Sequence, residues 1–273
     1  MIETILLATD GSDAAQAAER YGVAMAARLR ARLLGLTVIE DGLLQGLRAD
    51  SLGVPPPSLD GLEVFLKGRA EAVCRRVADL GRAQGVECVP ESVRGVADDR
   101  IVERGRAADL LVLGRDGEHA GARTGLIGAT VDAVLRKTTK PTVVVPSGAE
   151  FGGPIVLGFD GSPGSRIAAK LAVELASRLE QTIHVFVDSK DKGRAAARFD
   201  EVRRLLGGGN ASVRETSSTL GRPDVKIVDT ARSARAGLIV MGAFGRNRIS
   251  EYFLGSNASA VVRTSPVAVL LAR

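Results

Sequence analysis

The sequence predicts an α/β fold, a parallel sheet with helices on both faces, written twice along the chain. Three observations predict it. Short apolar runs alternate with stretches of helical periodicity from end to end, the pattern of parallel strands joined by crossover helices. Two Asp-Gly-Ser turns, Asp10-Gly11-Ser12 and Asp160-Gly161-Ser162, each follow such a run and open an Ala-rich helical stretch. Each half then closes alike, with an apolar strand running into spaced glycines (Leu110 to Gly117; Leu238 to Gly245), a further Gly, a short helix and a Pro-led strand.

In the first copy, Ile5 to Thr9 forms a buried strand, and Ala14, Ala18, Tyr21, Met25 and Leu29 recur three or four apart, marking an amphipathic helix. Leu33 to Ile39 is the next strand. The second copy repeats that order with Ile155 to Phe159, then Ala168, Leu171, Leu175 and Leu179, then Ile183 to Val187. Pro163 after Ser162 suits an N-cap followed by proline at the first helical position. The first copy alone carries a Gly-, Leu- and Pro-rich stretch from Glu40 to Gly61, read as a long loop or lid. After it come a helix (62–84), a strand (87–93), a helix (98–107), strand Leu110 to Leu113, helix Ala129 to Lys137 and strand Pro141 to Val145. The second copy supplies a helix (194–206), a strand (212–215), a helix (224–233), strand Leu238 to Met241, a helix (257–263) and strand Pro266 to Leu270. The domains expected are 1–147 and 153–273.

Composition narrows the function. The chain has 273 residues, 45% hydrophobic and 25% charged, which excludes a disordered chain and leaves room for two domains. Aromatics are 3% with no Trp, so few side chains can stack on bases and nucleic acid is not an expected partner. No apolar run approaches the ~20 residues of a membrane span, and Met1 to Asp10 reads as a strand rather than a signal peptide. A cytoplasmic location without membrane attachment is expected. Residues 1–150 carry 19 Lys+Arg against 21 Asp+Glu, and residues 151–273 carry 18 against 11. The net +7 of the second half favours an anionic ligand there.

Ligands of such sheets sit beyond the carboxyl ends of the strands, the rim that both the Asp-Gly-Ser turns and the glycine arrays share. The second array reads Gly242-Ala243-Phe244-Gly245, nine residues, then Gly255-Ser256-Asn257. Glycines permit positive φ and close approach to a ligand. A helix starting near Ser256 would turn its unpaired N–H groups outward as an anion nest, and Ser256 can add a hydroxyl. The same residues also fit a plain turn and a helix cap.

Together, the strand–Asp-Gly-Ser start, the Leu-Ile-Val-Met-Gly strand, G-x-x-G-x9-G-S-N and the closing Pro-Val-Ala-Val-Leu strand resemble the universal stress protein family. The likeness covers nearly the whole chain as two tandem copies. It implies a five-stranded parallel sheet in each copy, of the flavodoxin/Rossmann-like, adenine-nucleotide-binding type. ATP or AMP is the implied ligand, with Mg²⁺ an optional companion, and no settled reaction. Gly242, Gly245, Gly255, Ser256 and Asn257 then match the phosphate and ribose cradle, Asp160 the acidic residue near the nucleoside, and Phe186 a position where backbone groups meet adenine. Asp160 equally suits a helix cap and Phe186 a core position.

The first copy departs from this pattern. Gly114-Arg115-Asp116-Gly117 precedes Gly128-Ala129-Thr130 by ten residues instead of nine, Ala129 offers no hydroxyl, and Asp116 and Glu118 bring negative charge. A degenerate second site would comprise Asp10, Val38, Gly114, Gly117, Gly128 and Thr130. Arg246 and Arg248 flank the second cradle as candidate phosphate partners.

Cys74 and Cys88, without C-x-x-C spacing, make a disulfide or metal site improbable, and the unrelated His119 and His184 form no metal site or triad. Neither a P-loop nor G-x-G-x-x-G is present. The leading reading is therefore a regulatory nucleotide-binding module acting on an unidentified protein partner. Slow ATP hydrolysis assisted by Asp160 and a nucleotide-free scaffold are the alternatives. The apolar closing strands at the expected sheet edges should pair about a pseudo-twofold axis within the chain, and the family resemblance implies further association into homodimers.

Overall fold

A computed structural model describes residues 1–40, 60–117, 127–189, 191–207, 213–218, 221–244 and 254–273. Most of the expected lid (41–59) lies outside the described residues, as do Glu118, His119, Gly245, Arg246 and Arg248. The first copy runs β1 (Thr4–Ala8), α1 (Gln16–Leu29), β2 (Arg32–Ile39), α2 (Asp60–Ala83), β3 (Cys88–Arg94), α3 (Ala97–Gly105), β4 (Leu110–Gly114), α4 (Ala129–Lys137) and β5 (Thr142–Val145). The second runs β6 (Ile155–Gly158), α5 (Pro163–Leu179), β7 (Ile183–Asp188), α6 (Lys192–Leu206), β8 (Val213–Ser218), α7 (Pro223–Ala234), β9 (Leu238–Gly242), α8 (Ser256–Thr264) and β10 (Ala268–Ala272).

The ten strands form one sheet in the order β3-β2-β1-β4-β5-β10-β9-β6-β7-β8. Every neighbouring pair is parallel except β5–β10, which is antiparallel, with Val144 opposite Val269 and Val143 opposite Leu270. Each copy thus contributes the five parallel strands expected. The closing strands are edge strands of their own copies, as expected, and their pairing within the chain places them at the centre of the joined sheet.

Burial explains the apolar runs. β5 and β10 are buried along their whole length and β4 over its first four residues, because helices cover both faces. The edge strand β3 is mostly exposed and carries Pro90, Glu91 and Arg94, residues that discourage further strand addition. One core layer packs α1, α2, α5 and α6 against the sheet, with Tyr21, Met25, Leu175 and Phe199 among its members. The other packs α3, α4, α7 and α8, with Ile101, Val134, Ile227 and Val261.

Sequence capping signals act locally. The Ser162 hydroxyl accepts the Ser165 N–H at 3.2 Å with Pro163 in the first turn of α5. Arg30, just past α1, takes φ 48° and returns its N–H to Ala26 and Ala27. Cys74 hydrogen-bonds Thr37, whereas Cys88 stands opposite Leu33 in the β2–β3 register. Both thiols are free, and partial burial raises each above its usual value.

The antiparallel join has a functional consequence. Strands of the two copies point in opposite directions across β5–β10, so the two carboxyl rims lie on opposite edges of the sheet. Besides the strand pairing, the Tyr21 hydroxyl donates to the Gly237 carbonyl at 3.1 Å, and Arg115 Nη1 donates to the Ser265 carbonyl at 2.8 Å.

Candidate functional site

At the carboxyl rim of the second copy, the ends of β6, β7 and β9 and the starts of α5, α7 and α8 enclose a cleft. Its lining includes Asp160, Phe186, Asp188, Asp224, Gly242, Phe244, Gly255, Ser256 and Asn257. Every described member of the expected second-copy site is therefore brought together. Its polar lining divides in two. Asp160, Asp188 and Asp224 supply carboxylates, and the first turn of α8 supplies amides.

Gly255 is the N-cap of α8 and provides no side-chain cap. Among the described residues no acceptor meets the N–H groups of Ser256, Asn257 and Ala258. Such a helix start carries partial positive charge. The Gly255 N–H, however, is spent on the Ala243 carbonyl at 2.9 Å. The helix starts at Ser256, where the sequence places it, so the outward N–H groups are those from Ser256 on.

The role of the glycines also needs correcting. Gly255 has φ −57° and Gly128 φ −55°, and neither Gly114, Gly117 nor Gly242 adopts positive φ. Left-handed glycines occur instead in the two Asp-Gly-Ser turns, Gly11 at φ 78° and Gly161 at φ 77°. Gly242 is small because of the protein itself: a Cβ there would lie 2.8 Å from the Gly164 carbonyl carbon and 3.0 Å from the Ser165 nitrogen. Its missing side chain lets β9 touch the first turn of α5. At Gly114 the nearest atom to such a Cβ is 3.5 Å away. Gly242→Ala is accordingly expected to lose about 1–3 kcal/mol of stability, and Gly114→Ala under about 0.5, in urea unfolding of the two variants.

Asp160 does serve its turn, since Oδ1 accepts the Ser162 N–H at 2.9 Å, and Asp10 binds Ser12 likewise at 2.9 Å. The N-cap of α5 is Ser162, so Asp160 holds the turn before the helix rather than capping it, and it lines the cleft. Phe186 is buried in the core, and its carbonyl accepts the Phe159 N–H at 2.9 Å. That carbonyl is thus already engaged within the sheet, and the residue lines the cleft. The equivalent bond in the first copy runs from Thr9 to Leu36. Leu36 is therefore the counterpart of Phe186, and Val38 that of Asp188, a shift of two residues from the pairing expected. Asp188 and Asp224 were missed by sequence reasoning; Asp188 ends its strand, the position that signalled Asp160.

In the first copy, Arg115 and Asp116 occupy the positions of Ala243 and Phe244. Asp116 accepts from the Arg115 guanidinium at 3.0 Å and from the Ser147 N–H at 3.1 Å. Partial burial pushes this carboxyl up, but the bonds from Arg115 and Ser147 outweigh it and hold it below the usual carboxylate range. A fixed anion thus stands beside Gly114 and Gly117, while a Cβ on Gly117 would lie 3.8 Å from Asp10 Oδ2 and one on Gly128 3.9 Å from the Gly117 nitrogen.

The sequence profile of the universal stress protein family matches residues 1–146 and again 153–273. The chain belongs to the universal stress protein family. A universal stress protein of Mycobacterium tuberculosis is 28% identical over 295 residues, covering 98% of this chain and 96% of its own. One from Synechocystis is 23% identical over 289 residues, covering 100% of both. In fold, the crystal structure of a universal stress protein from Archaeoglobus fulgidus is similar with a TM-score of 0.77, over 99% of this chain and 98% of that one, at 19% identity. This universal stress protein has no described helix long and apolar enough to cross a membrane. No group of three or more His, Cys, Asp or Glu among its described residues is placed to hold a metal ion.

Proposed function

We propose that the second copy binds an adenine nucleotide, ATP or AMP, and that occupancy of this site is the regulatory state read by a protein partner. The observation that carries the reading is the division of one cleft into a carboxylate side and an amide side. Carboxylates accept hydrogen bonds from ribose hydroxyls and the adenine amine, and unpaired helix-start N–H groups donate to phosphate oxygens. The cavity bounded by the described residues measures about 130 Å³, below the several hundred typical of a whole small-molecule site. It suits the nucleoside, with the phosphates at the open side along α8. The larger cavity of about 340 Å³ lies at the seam between the copies, away from both rims, and lacks such a polar division. Asp160 is the group nearest to a metal or water-orienting role, and its carboxylate is already committed in part to Ser162, which favours binding over turnover.

Isothermal titration with AMP and ATP tests the proposal. Wild-type protein should bind at micromolar to millimolar concentration with one nucleotide per chain. Ser256→Pro keeps a residue tolerated at the first helical position but removes an amide and the hydroxyl, and should weaken binding about tenfold. Thr130→Pro in the first copy should leave it unchanged. Absence of binding at several millimolar, or equal losses from the two variants, would refute the reading. The same reading extends to homodimers, for which β3 and β8 are the remaining sheet edges; a solution mass of one chain would exclude them.

A further inference from the structure

Arg273, beyond the end of β10, has two guanidinium nitrogens, Nε and Nη2, that are buried without a hydrogen-bond partner among the described residues. A buried cation with orphaned donors is costly, and proteins keep such groups where something else satisfies them. Its surroundings connect it to the second-copy cleft. The guanidinium carbon stands 4.8 Å from the centre of the Phe244 ring, and Phe244 lines the cleft. The carbonyl of the preceding residue, Ala272, accepts the Ala243 N–H at 2.9 Å, and the Ala243 carbonyl accepts the Gly255 N–H at 2.9 Å. Two backbone bonds therefore lead from the residue before Arg273 to the N-cap of α8. We propose that Arg273 is the cation of this site, donating to the phosphate of a bound nucleotide and so selecting the charged nucleotide over its uncharged nucleoside.

The first copy supplies an internal control. There the Val145 carbonyl accepts the Arg115 N–H at 2.8 Å, so Pro146 takes the place of Arg273 and Asp116 that of Phe244. The copy with an anion at the ring position has no cation at the neighbouring one. Its own nearby arginine, Arg115, is taken up by Asp116 itself and by the Arg263 and Ser265 carbonyls. Burial pulls the Arg273 guanidinium down to about 10, so it remains charged at neutral pH. Stacking on an aromatic face and forked donation to phosphate are both properties of arginine.

The assignment rests on nucleotide binding by the second copy, and its test separates the two. AMP and adenosine are titrated into wild type, Arg273→Met and Arg273→Lys. Arg273→Met should weaken AMP at least tenfold and change adenosine less than twofold, with Arg273→Lys intermediate for AMP. Because the substitution removes an unpaired buried charge, the urea midpoint of unliganded Arg273→Met should equal or exceed that of wild type. A midpoint well below wild type would make the guanidinium structural and overturn the assignment. So would an AMP loss under twofold, or equal losses of AMP and adenosine. Wild type that binds neither ligand would sink the nucleotide reading itself.

Discussion

Gly237→Ala is expected to lower folding stability by about 3 kcal/mol or more, at the upper end of what overpacking costs. A Cβ at this position would fall 1.6 Å from the Gly152 carbonyl oxygen and 2.6 Å from its carbonyl carbon. These are backbone atoms of the segment joining the copies, so no rotamer change relieves the collision. The neighbourhood is also tied on other sides. The Gly237 N–H donates to Pro154 at 3.0 Å, and its carbonyl accepts from the buried Tyr21 hydroxyl. Moving Gly237 away would strand both groups. Burial raises the Tyr21 phenol far above its usual value, so it stays a neutral donor throughout the ordinary pH range. Urea unfolding should show the lower midpoint, while Gly68→Ala, on an exposed helical position with nothing within 4 Å, should gain about 0.5–1 kcal/mol. A Gly237→Ala midpoint equal to that of wild type would disprove the packing argument.

Arg76→Ala should cost about 3–5 kcal/mol, the scale for removing one partner of a buried ion pair. Glu19 is 1% exposed, whereas the Arg76 side chain is 37% exposed. Glu19 accepts from Arg76 at 2.6 and 2.9 Å and from the Thr9 hydroxyl at 2.6 Å. Thr9 in turn accepts the Gly11 N–H at 3.1 Å, and Arg76 reaches the Gly11 carbonyl at 3.2 Å. The network thus locks the first Asp-Gly-Ser turn to α2. Removing Arg76 leaves a buried carboxylate with a single hydroxyl donor. Glu19→Gln, by contrast, keeps shape and most bonds and leaves a cation that water can reach, so it should cost only about 1–2 kcal/mol. Denaturant unfolding of the two variants checks the asymmetry, and equal losses would count against it.

The periodic signals made the fold legible. Continuous apolar runs such as Leu110 to Leu113 and Leu238 to Met241 mark strands buried on both faces, and three- and four-residue spacings from Ala14 to Leu29 mark a helix. Boundaries shifted where polar residues continue a strand: β8 runs to Ser218, past the expected end at Glu215, because its extent is set by the β7 ladder rather than by its own pattern. The cleft was legible through turns and glycines, yet the reason for Gly242 was not. That reason is the approach of α5, 78 residues earlier at Gly164, a contact no local pattern encodes. Likewise, Val38 and Phe186 each looked like a strand-end position, and only the bonds Thr9 to Leu36 and Phe159 to Phe186 show that they differ by two residues. Asp224 escaped because it comes from α7, an element with no signature of its own.

The β5–β10 pairing joins halves that residues 146–154 hold on one polypeptide. A tether this short keeps its ends at an effective concentration on the order of millimolar. Dilution therefore leaves the two lobes joined, and any change of the thermal midpoint with the amount of protein reports association between chains rather than between lobes. Cutting the tether converts a unimolecular equilibrium into a bimolecular one.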